Sequence, residues 1–222
     1  MQIQIDKLTR SKRKTIALII ERDGTLTVRA PMRAPNDLIQ KFIQEKADWI
    51  TRTREKLKEF APREPRKFTD GESFLFLGSS FDLKLVKPQR PSLQFEHGFT
   101  LSQTMQANAE RLFTRWYKEQ AQAVMTERVQ HYSALHGFSP GQVKITSART
   151  RWGSCSSNGT LNFTWRLVMA PLEVIDYVVL HELAHLRVKN HSKKFWSVVA
   201  AICPQYKSHR KWLRENSESL TL

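Results

Sequence analysis

Residues 174–191 read VIDYVVLHELAHLRVKNH, and this stretch carries the strongest signal in the chain. Pro171 precedes it and suits the first turn of a helix. His181 and His185 are four residues apart, so on a helix both imidazoles project from one face, one above the other. Two imidazoles in that arrangement can bind one zinc ion at nitrogen–metal distances of about 2.0–2.1 Å. The pair therefore predicts a metal site on a helix.

Glu182 and His191 extend this pattern toward catalysis. Glu182 lies about 100° around the helix from His181, beside such a metal. A carboxylate there can take a proton from the water that the metal activates, as in H-E-x-x-H hydrolases. His191 follows His185 by six residues, far enough for the chain to leave the helix and supply a third ligand. Three protein ligands leave the fourth position of zinc for water, which a catalytic site requires.

Other side chains are candidates for binding a substrate or the oxygen that becomes anionic during hydrolysis. Tyr177 lies one turn before His181 on the same helix face, where a packed core tyrosine is the alternative. Arg149 and Arg151 lie next to a turn and suit an anionic group, with solvated loop arginines as the alternative. His209 is a further candidate for an acid or anion contact, although no spacing requires it.

The block from residue 149 to residue 196, RTRWGSCSSNGTLNFTWRLVMAPLEVIDYVVLHELAHLRVKNHSKKFW, resembles the signature region of the YgjP-like family of metal-dependent hydrolases. That family is distantly similar to the SprT-like and WLM zinc peptidases. The resemblance is strong over residues 141–213. It implies that His181, His185 and His191 bind zinc, that Glu182 is catalytic, and that the RWGSC block, residues 151–155, packs beside the site.

The sequence departs from the related metzincin pattern between the second and third histidines. Val188 stands where metzincins have a glycine, and no obvious methionine turn follows. An unbroken helix would turn His191 about 240° away from His185. We therefore expect Lys189 and Asn190 to make the bend, since asparagine tolerates the left-handed region.

The patterns along the chain predict an α+β protein of two parts. Residues 1–102 form a β-rich region with one long helix, and residues 103–222 form a zincin-like domain that carries the H-E-x-x-H helix. In the first part, a hairpin is expected at Asp23-Gly24 and a helix over residues 35–60, with Asn36 as its cap. Residues 61–68 read as a linker.

Later segments give further expectations of helix and strand. A long helix is expected from about 105 to 135, ended by Gly137. Strands are expected at QVKITSA, residues 142–148, and at LNFTW, residues 161–165, after a tight turn at Asn158-Gly159. Three helices are expected after that, beginning near residues 171, 191 and 208.

The chain has 222 residues and only two cysteines, Cys155 and Cys203. A disulfide framework is therefore excluded, and a reducing compartment is the simpler interpretation. The N-terminus lacks an apolar segment of signal-peptide length, and nothing approaches 18 uninterrupted apolar residues. We expect a cytoplasmic protein with no membrane segment, and a monomer by default.

The net charge is +15, and the excess of basic residues lies in residues 1–70 and 141–222. A basic protein attracts polyanions such as nucleic acids and nucleotides. The leading hypothesis is a metallopeptidase-type hydrolase with one zinc ion, or another divalent metal, acting on a carbonyl or phosphoryl centre. Its substrate is a peptide or a nucleotide.

Two alternatives remain open. The first is a nucleoside triphosphate pyrophosphohydrolase that uses the same metal site, with Arg149, Arg151 and Arg166 suited to phosphate. The second is a non-enzymatic, basic module that binds nucleic acid and holds a structural zinc. A structural site more often has a fourth protein ligand, and Cys155 is the candidate for it.

Overall fold

The structure, a computed structural model, describes residues 3–21, 23–59 and 66–222, and the side chains of 56–59 fall outside this description. The chain divides into two compact units, Met1–Pro65 and Arg66–Leu222. Most of the linker expected at residues 61–68 lies outside the described residues. The domain boundary expected near residue 102 falls within the second unit.

The first unit is a three-stranded sheet with two helices. Its elements are β1 (Lys7–Ser11), β2 (Ala17–Ile20), β3 (Leu26–Pro31), α1 (Asn36–Glu45) and α2 (Ala47–Glu59). The central strand β3 pairs parallel with β1 and antiparallel with β2. The expected hairpin is present, because Glu21 N donates to Thr25 O at 2.9 Å and Gly24 has a φ of 83°. Buried apolar residues of β3, α1 and α2 form the core of this unit.

Two expectations about the helix of this unit are wrong. The segment 35–60 forms two helices rather than one, because the backbone leaves helical geometry at Lys46, with φ −104° and ψ 12°. Asn36 is not the cap: Pro35 holds that position with an extended backbone, and α1 begins at Asn36. The Asn36 side chain instead accepts a hydrogen bond of 2.7 Å from Arg10.

The second unit begins with a four-stranded sheet. Its strands are β4 (Ser73–Phe76), β5 (Ser79–Val86), β6 (Leu93–Phe95) and β7 (Phe99–Ser102), in the order β4-β5-β7-β6. A 3₁₀ helix (Gln103–Asn108) leads into the long helix α3 (Ala109–His136), which Gly137 ends with a φ of 66°. Phe74 of the sheet stacks on Phe113 of α3 at 4.3 Å. The sheet and α3 therefore share one core.

The remainder of the second unit carries the predicted metal helix. Its elements are β8 (Val143–Thr146), β9 (Gly153–Cys155), β10 (Leu161–Thr164), a 3₁₀ helix (Trp165–Met169), α4 (Leu172–Arg187), α5 (Lys193–Ile202) and α6 (Tyr206–Asn216). The sheet order is β8-β10-β9, with β10 parallel to β8 and antiparallel to β9. These sheets and helices confirm the α+β fold class.

Helix α4 is held firmly in the core of this unit. Nine of its residues are buried. Arg128 of α3 donates two hydrogen bonds, of 2.6 and 2.9 Å, to the Asp176 carboxylate, and the Tyr132 hydroxyl donates a third of 2.9 Å. This network fixes α4 against α3. In the described part of the chain, no helix is both long and apolar enough to cross a membrane.

Candidate metal centre

Three histidines converge at the C-terminal end of α4. His181, His185 and His191 each offer a ring nitrogen, and these nitrogens all lie within 4.8 Å of one another. The Nε2 atoms of His181 and His191 are 3.0 Å apart. Two nitrogens on a tetrahedral zinc are about 3.3 Å apart, given the usual Zn–N distance. The three side chains therefore fit a single ion of zinc size.

The chain returns His191 to this point by ending α4 at Arg187. Val188 is extended, with φ −136° and ψ 109°, so the helix stops there. The expected left-handed asparagine is wrong: among the described residues other than glycine, only Phe68 and Leu77 have positive φ. Asn190 contributes through its side chain, which accepts a hydrogen bond of 3.3 Å from Ser192 N. A local side-chain turn of this kind replaces the backbone conformation that the sequence suggested.

The backbone around the bend also orients His185. Its Nδ1 lies 3.1 Å from Val188 O. A carbonyl oxygen can only accept, so Nδ1 carries the proton and Nε2 keeps its lone pair. A hydrogen bond of this kind commonly fixes the tautomer of a metal-binding histidine.

The first turns of α5 form one wall of the cluster. The Phe195 ring is fully buried and stacks on His185 at 4.4 Å, with His181 and His191 at 4.9 and 4.8 Å. Trp196 stacks on His191 at 5.8 Å. Because these rings restrict the imidazoles, the three histidines are held in place by packing as well as by the backbone.

The lowered pKa values of His181 and His185 keep these two imidazoles neutral, the form that can bind a cation. Burial, together with the neighbouring His185 and His191, lowers the pKa of His181 to about 3. Burial also lowers the pKa of His185, although the hydrogen bond that its Nδ1 donates to Val188 O raises it. Neutral imidazole is the form that binds metal, so these two ligands need not lose a proton at neutral pH.

Glu182 lies beneath β9, and Gly153 of that strand makes room for it. The Glu182 side chain is buried, and its Oε2 has no hydrogen-bond partner among the described residues. A Cβ at position 153 would lie 2.6 Å from Glu182 Oε1. Burial raises the pKa of Glu182 to about 7, and the charge of Arg151 opposes that rise. An unpartnered buried oxygen is costly, so this carboxylate fits a site completed by a water or a substrate.

The other predicted residues lie at different distances from the three histidines. Tyr177 is buried with its ring 6.0 Å from that of His181, and burial raises its pKa to about 12. His209 of α6 stacks on Tyr177 at 6.3 Å. Arg151 is exposed and close enough to act on the charge of Glu182. Arg149 is exposed in the same loop, and within the part of the chain that the structure describes no hydrogen bond or ion pair joins it to the cluster.

Cys155 is not a member of the metal-binding group that the described residues form. It lies two residues after Gly153 on β9 and is partly buried, and burial raises its pKa. The structural-zinc alternative named Cys155 as a candidate fourth ligand. Cys155 does not take that position beside the three histidines.

Two residues contribute to the site although the sequence analysis gave neither an individual role there. Gly153 leaves room for the Glu182 side chain. The feature of the sequence that could have indicated this is the glycine inside the RWGSC block. Arg210 of α6 lies with its guanidinium carbon 5.0 Å from the centre of the Trp196 ring. In the sequence, Arg210 stands out only as one of several basic residues of the last helix. The packing of α6 against α4 brings it to the metal cluster, and a local sequence pattern does not report such a contact.

A group of three histidines with a neighbouring carboxylate is typical of metal-dependent hydrolases. A family model described as the YgjP-like metallopeptidase domain matches residues 14–216, so the chain belongs to the YgjP-like family. This confirms the family that the signature region indicated.

Comparison with solved structures gives the crystal structure of the metallopeptidase zymogen of Pyrococcus abyssi abylysin. It is 22% identical, and the match covers 41% of this chain and 93% of that chain, with a TM-score of 0.38. Comparison with curated proteins gives no match.

Proposed function

We propose that this protein is a zinc-dependent peptidase in which Glu182 is the general base. The observation that carries this proposal is the buried Glu182 carboxylate beside His181, His185 and His191, with one oxygen unpartnered. A bound zinc ion would lower the pKa of its water toward 7 and polarise the scissile carbonyl. Another divalent metal with the same ligand preference would serve the same role.

The three histidines would hold the metal, each through its Nε2 atom. His185 is already in the required tautomer, because its Nδ1 donates to Val188 O. Nδ1 of His181 is buried without a partner among the described residues. His181 and His191 Nε2 lie 3.0 Å apart, which suits a hydrogen bond when one of them carries a proton. When both present lone pairs to this point they repel each other, and a shared cation would remove that repulsion.

Glu182 moves the proton. Its unpartnered Oε2 accepts the proton of the attacking water and then donates it to the leaving nitrogen of the peptide. A base with a pKa near the working pH is most efficient in this role, and burial raises the pKa of Glu182 to about 7. Gly153 keeps the carboxylate in place by leaving its volume free.

Two donors flank the reacting carbonyl in this proposal. Burial raises the pKa of Tyr177 to about 12, so its hydroxyl is protonated at neutral pH and can donate to an anionic oxygen. Arg151 supplies a positive charge beside Glu182. We assign substrate binding to Tyr177 and Arg151, and Arg149 stays a candidate in the same loop.

Strand β9 offers an edge for an extended peptide. In the described part of the chain its one neighbouring strand is β10. Trp152 O accepts from Thr164 N at 3.0 Å and Ser156 N donates to Thr160 O at 2.9 Å, so these residues point toward β10. Alternation along an antiparallel strand then turns the peptide groups of Gly153 and Cys155 outward. A substrate strand can pair with them directly above Glu182.

The test is peptide hydrolysis by protein of measured metal content. Metal-free protein, prepared with a chelator, should cleave no peptide in a library of mixed sequence, and cleavage should return with one equivalent of zinc. Protein that holds one zinc and cleaves no peptide would contradict the proposal.

A nucleotide substrate is the second candidate, and the positive charge at the site favours it. Arg151 acts on Glu182, and the chain as a whole carries a net charge of +15. The same zinc-loaded protein should then release pyrophosphate from nucleoside triphosphates. Release from a nucleotide panel by protein that cleaves no peptide would favour this function over the first. The basic surface keeps nucleic acid as a proposed partner in either case.

A further inference from the structure

Arg210 lies next to the metal cluster on the side of α5 and α6. Its guanidinium carbon is 5.0 Å from the centre of the Trp196 ring. Trp196 in turn stacks on His191 at 5.8 Å, with an angle of 25° between the rings, and lies 5.7 Å from His181. Arg210 is therefore separated from two proposed metal ligands by a single aromatic side chain.

The charge of Arg210 reaches the site from this position. Burial is the main influence on the pKa of Tyr177, and the Arg210 charge acts against it. The same charge acts on His181. Arg151 acts on Glu182 from the loop that precedes β9. Two exposed arginines thus place positive potential on the proposed substrate-binding residues.

Arg210 differs from Lys211 and Arg214, its basic neighbours on the same helix. Arg214 and Lys211 each approach the Glu215 carboxylate, at 3.7 and 4.0 Å. Within the described ranges, no carboxylate lies within 4.0 Å of Arg210. A guanidinium held over an aromatic ring keeps its N–H groups in its own plane, where they can bind a carboxylate through two parallel hydrogen bonds.

We propose that Arg210 binds a carboxylate of the peptide substrate beside the scissile bond. The inference rests on the proposed peptidase function and adds the substrate class, a peptide with a negative charge close to the cleavage point. The carboxylate can come from an acidic side chain or from the C-terminus of the peptide. A single fork-shaped donor matches one carboxylate, whereas a triphosphate would need several cations.

The test compares zinc-loaded wild-type protein with Arg210→Gln and Arg214→Gln. Arg214 is the matched control, because it lies one turn later on α6, is exposed, and is paired with Glu215. A peptide library is cleaved and its cleavage sites are read by mass spectrometry, and zinc content is measured for each variant. Peptides with Asp or Glu near the cleaved bond are then compared with their Asn or Gln counterparts, and free C-termini with amidated ones.

We expect wild-type protein to prefer a carboxylate at one fixed position, and Arg210→Gln to lose that preference while holding one zinc. The fall in kcat/KM for the charged peptide should be roughly 10- to 100-fold, mainly through KM, as for the loss of a charged hydrogen bond. Amide-matched peptides have no carboxylate to bind, so Arg210→Gln should lower their kcat/KM far less than it lowers that of the charged peptide. Arg214→Gln should behave as wild type.

Binding supplies a second readout that does not depend on turnover. Calorimetry on zinc-loaded Glu182→Gln should show tighter binding of the charged peptide than of its amide counterpart, and adding Arg210→Gln should remove the difference. A preference that survives in Arg210→Gln, or no preference in wild type, would overturn this inference alone. Failure of zinc-loaded wild-type protein to cleave any peptide would overturn the peptidase function and this inference together.

Discussion

A Cβ on residue 153 would lie 2.6 Å from Oε1 and 2.7 Å from Cγ of Glu182, so Gly153 and Glu182 occupy complementary space. The glycine is needed for its volume, since it is not among the residues with positive φ. The RWGSC block and the H-E-x-x-H helix are therefore parts of one site. Strand β9, which we propose as the edge that pairs with a peptide, also contains the glycine that leaves room for the proposed base, Glu182.

Gly153→Ala should displace Glu182 and impair catalysis without removing the metal. The added methyl group overpacks the site, which we expect to cost about 1–3 kcal/mol in the free energy of unfolding. Zinc content, peptide turnover and urea unfolding measure the three effects. Ser154→Ala is the control, since its side chain is on the opposite face of β9. Full activity in Gly153→Ala would show either that Glu182 is not the proton acceptor or that β9 shifts freely to accommodate the methyl group.

His191→Ala should lose metal affinity, and Cys155→Ala should keep it. The three histidines form the described metal-binding group, and Cys155 lies outside it. Changing residues that merely support a ligand typically costs 10- to 100-fold in affinity, so loss of a ligand should exceed about 100-fold. Competition with a zinc indicator measures both variants. The opposite result, with zinc lost only in Cys155→Ala, would favour a structural site.

The stability of metal-free protein should respond to pH through Glu182. Its pKa is raised by burial from 4.5 to about 7 in the folded state. Between these values the unfolded chain releases a proton that the folded protein keeps, so wild-type stability falls as pH rises through this window. Glutamine does not titrate. The free energy of unfolding of metal-free Glu182→Gln should therefore rise relative to that of metal-free wild type between pH 5 and pH 8, by about 3 kcal/mol.

Urea unfolding with a chelator present, at several pH values, measures this difference. A gap between the two proteins that stays constant from pH 5 to pH 8 would mean that the carboxyl is not desolvated in the folded protein.

Asp176→Ala should destabilise the fold by removing the anchor between α3 and α4. Arg128 and Tyr132 both donate to this carboxylate, and the side chains of Arg128 and Asp176 are only 17% and 15% exposed. We expect a loss of about 2–3 kcal/mol, because a charged group is left without its partner. Thermal and urea unfolding would measure it.

Glu119→Ala is the control for this change. Glu119 pairs with Arg115 on the exposed face of α3, where an ion pair contributes little. Equal losses in the two variants would argue against an anchoring role for Asp176.

The helical spacing of His181 and His185 made half of the site predictable from sequence. Two residues four apart share a face whatever the tertiary structure, and the apolar residues around them marked the helix as buried. The position of His191 depended on where the helix stops. Its convergence followed from spacing, but the bend uses the extended Val188 and the Asn190 side chain rather than a left-handed residue.

The remaining features depend on contacts between distant segments. Gly153 and Glu182 meet because β9 lies over α4, and no local pattern reports that register. Arg210 reaches Trp196 from a different helix. Likewise, β1 pairs parallel with β3, and its mixed sequence KLTRS gives no alternation that would mark a strand. Local periodicity predicts elements, whereas tertiary packing decides which side chains meet.

The most direct test of the central claim is turnover by zinc-loaded Glu182→Gln, with zinc measured in the same sample. The account predicts one zinc per chain, as in wild type, and a fall in peptide hydrolysis of about 10²- to 10⁴-fold, the usual contribution of a general base. Peptide hydrolysis at the wild-type rate in that variant would contradict the account.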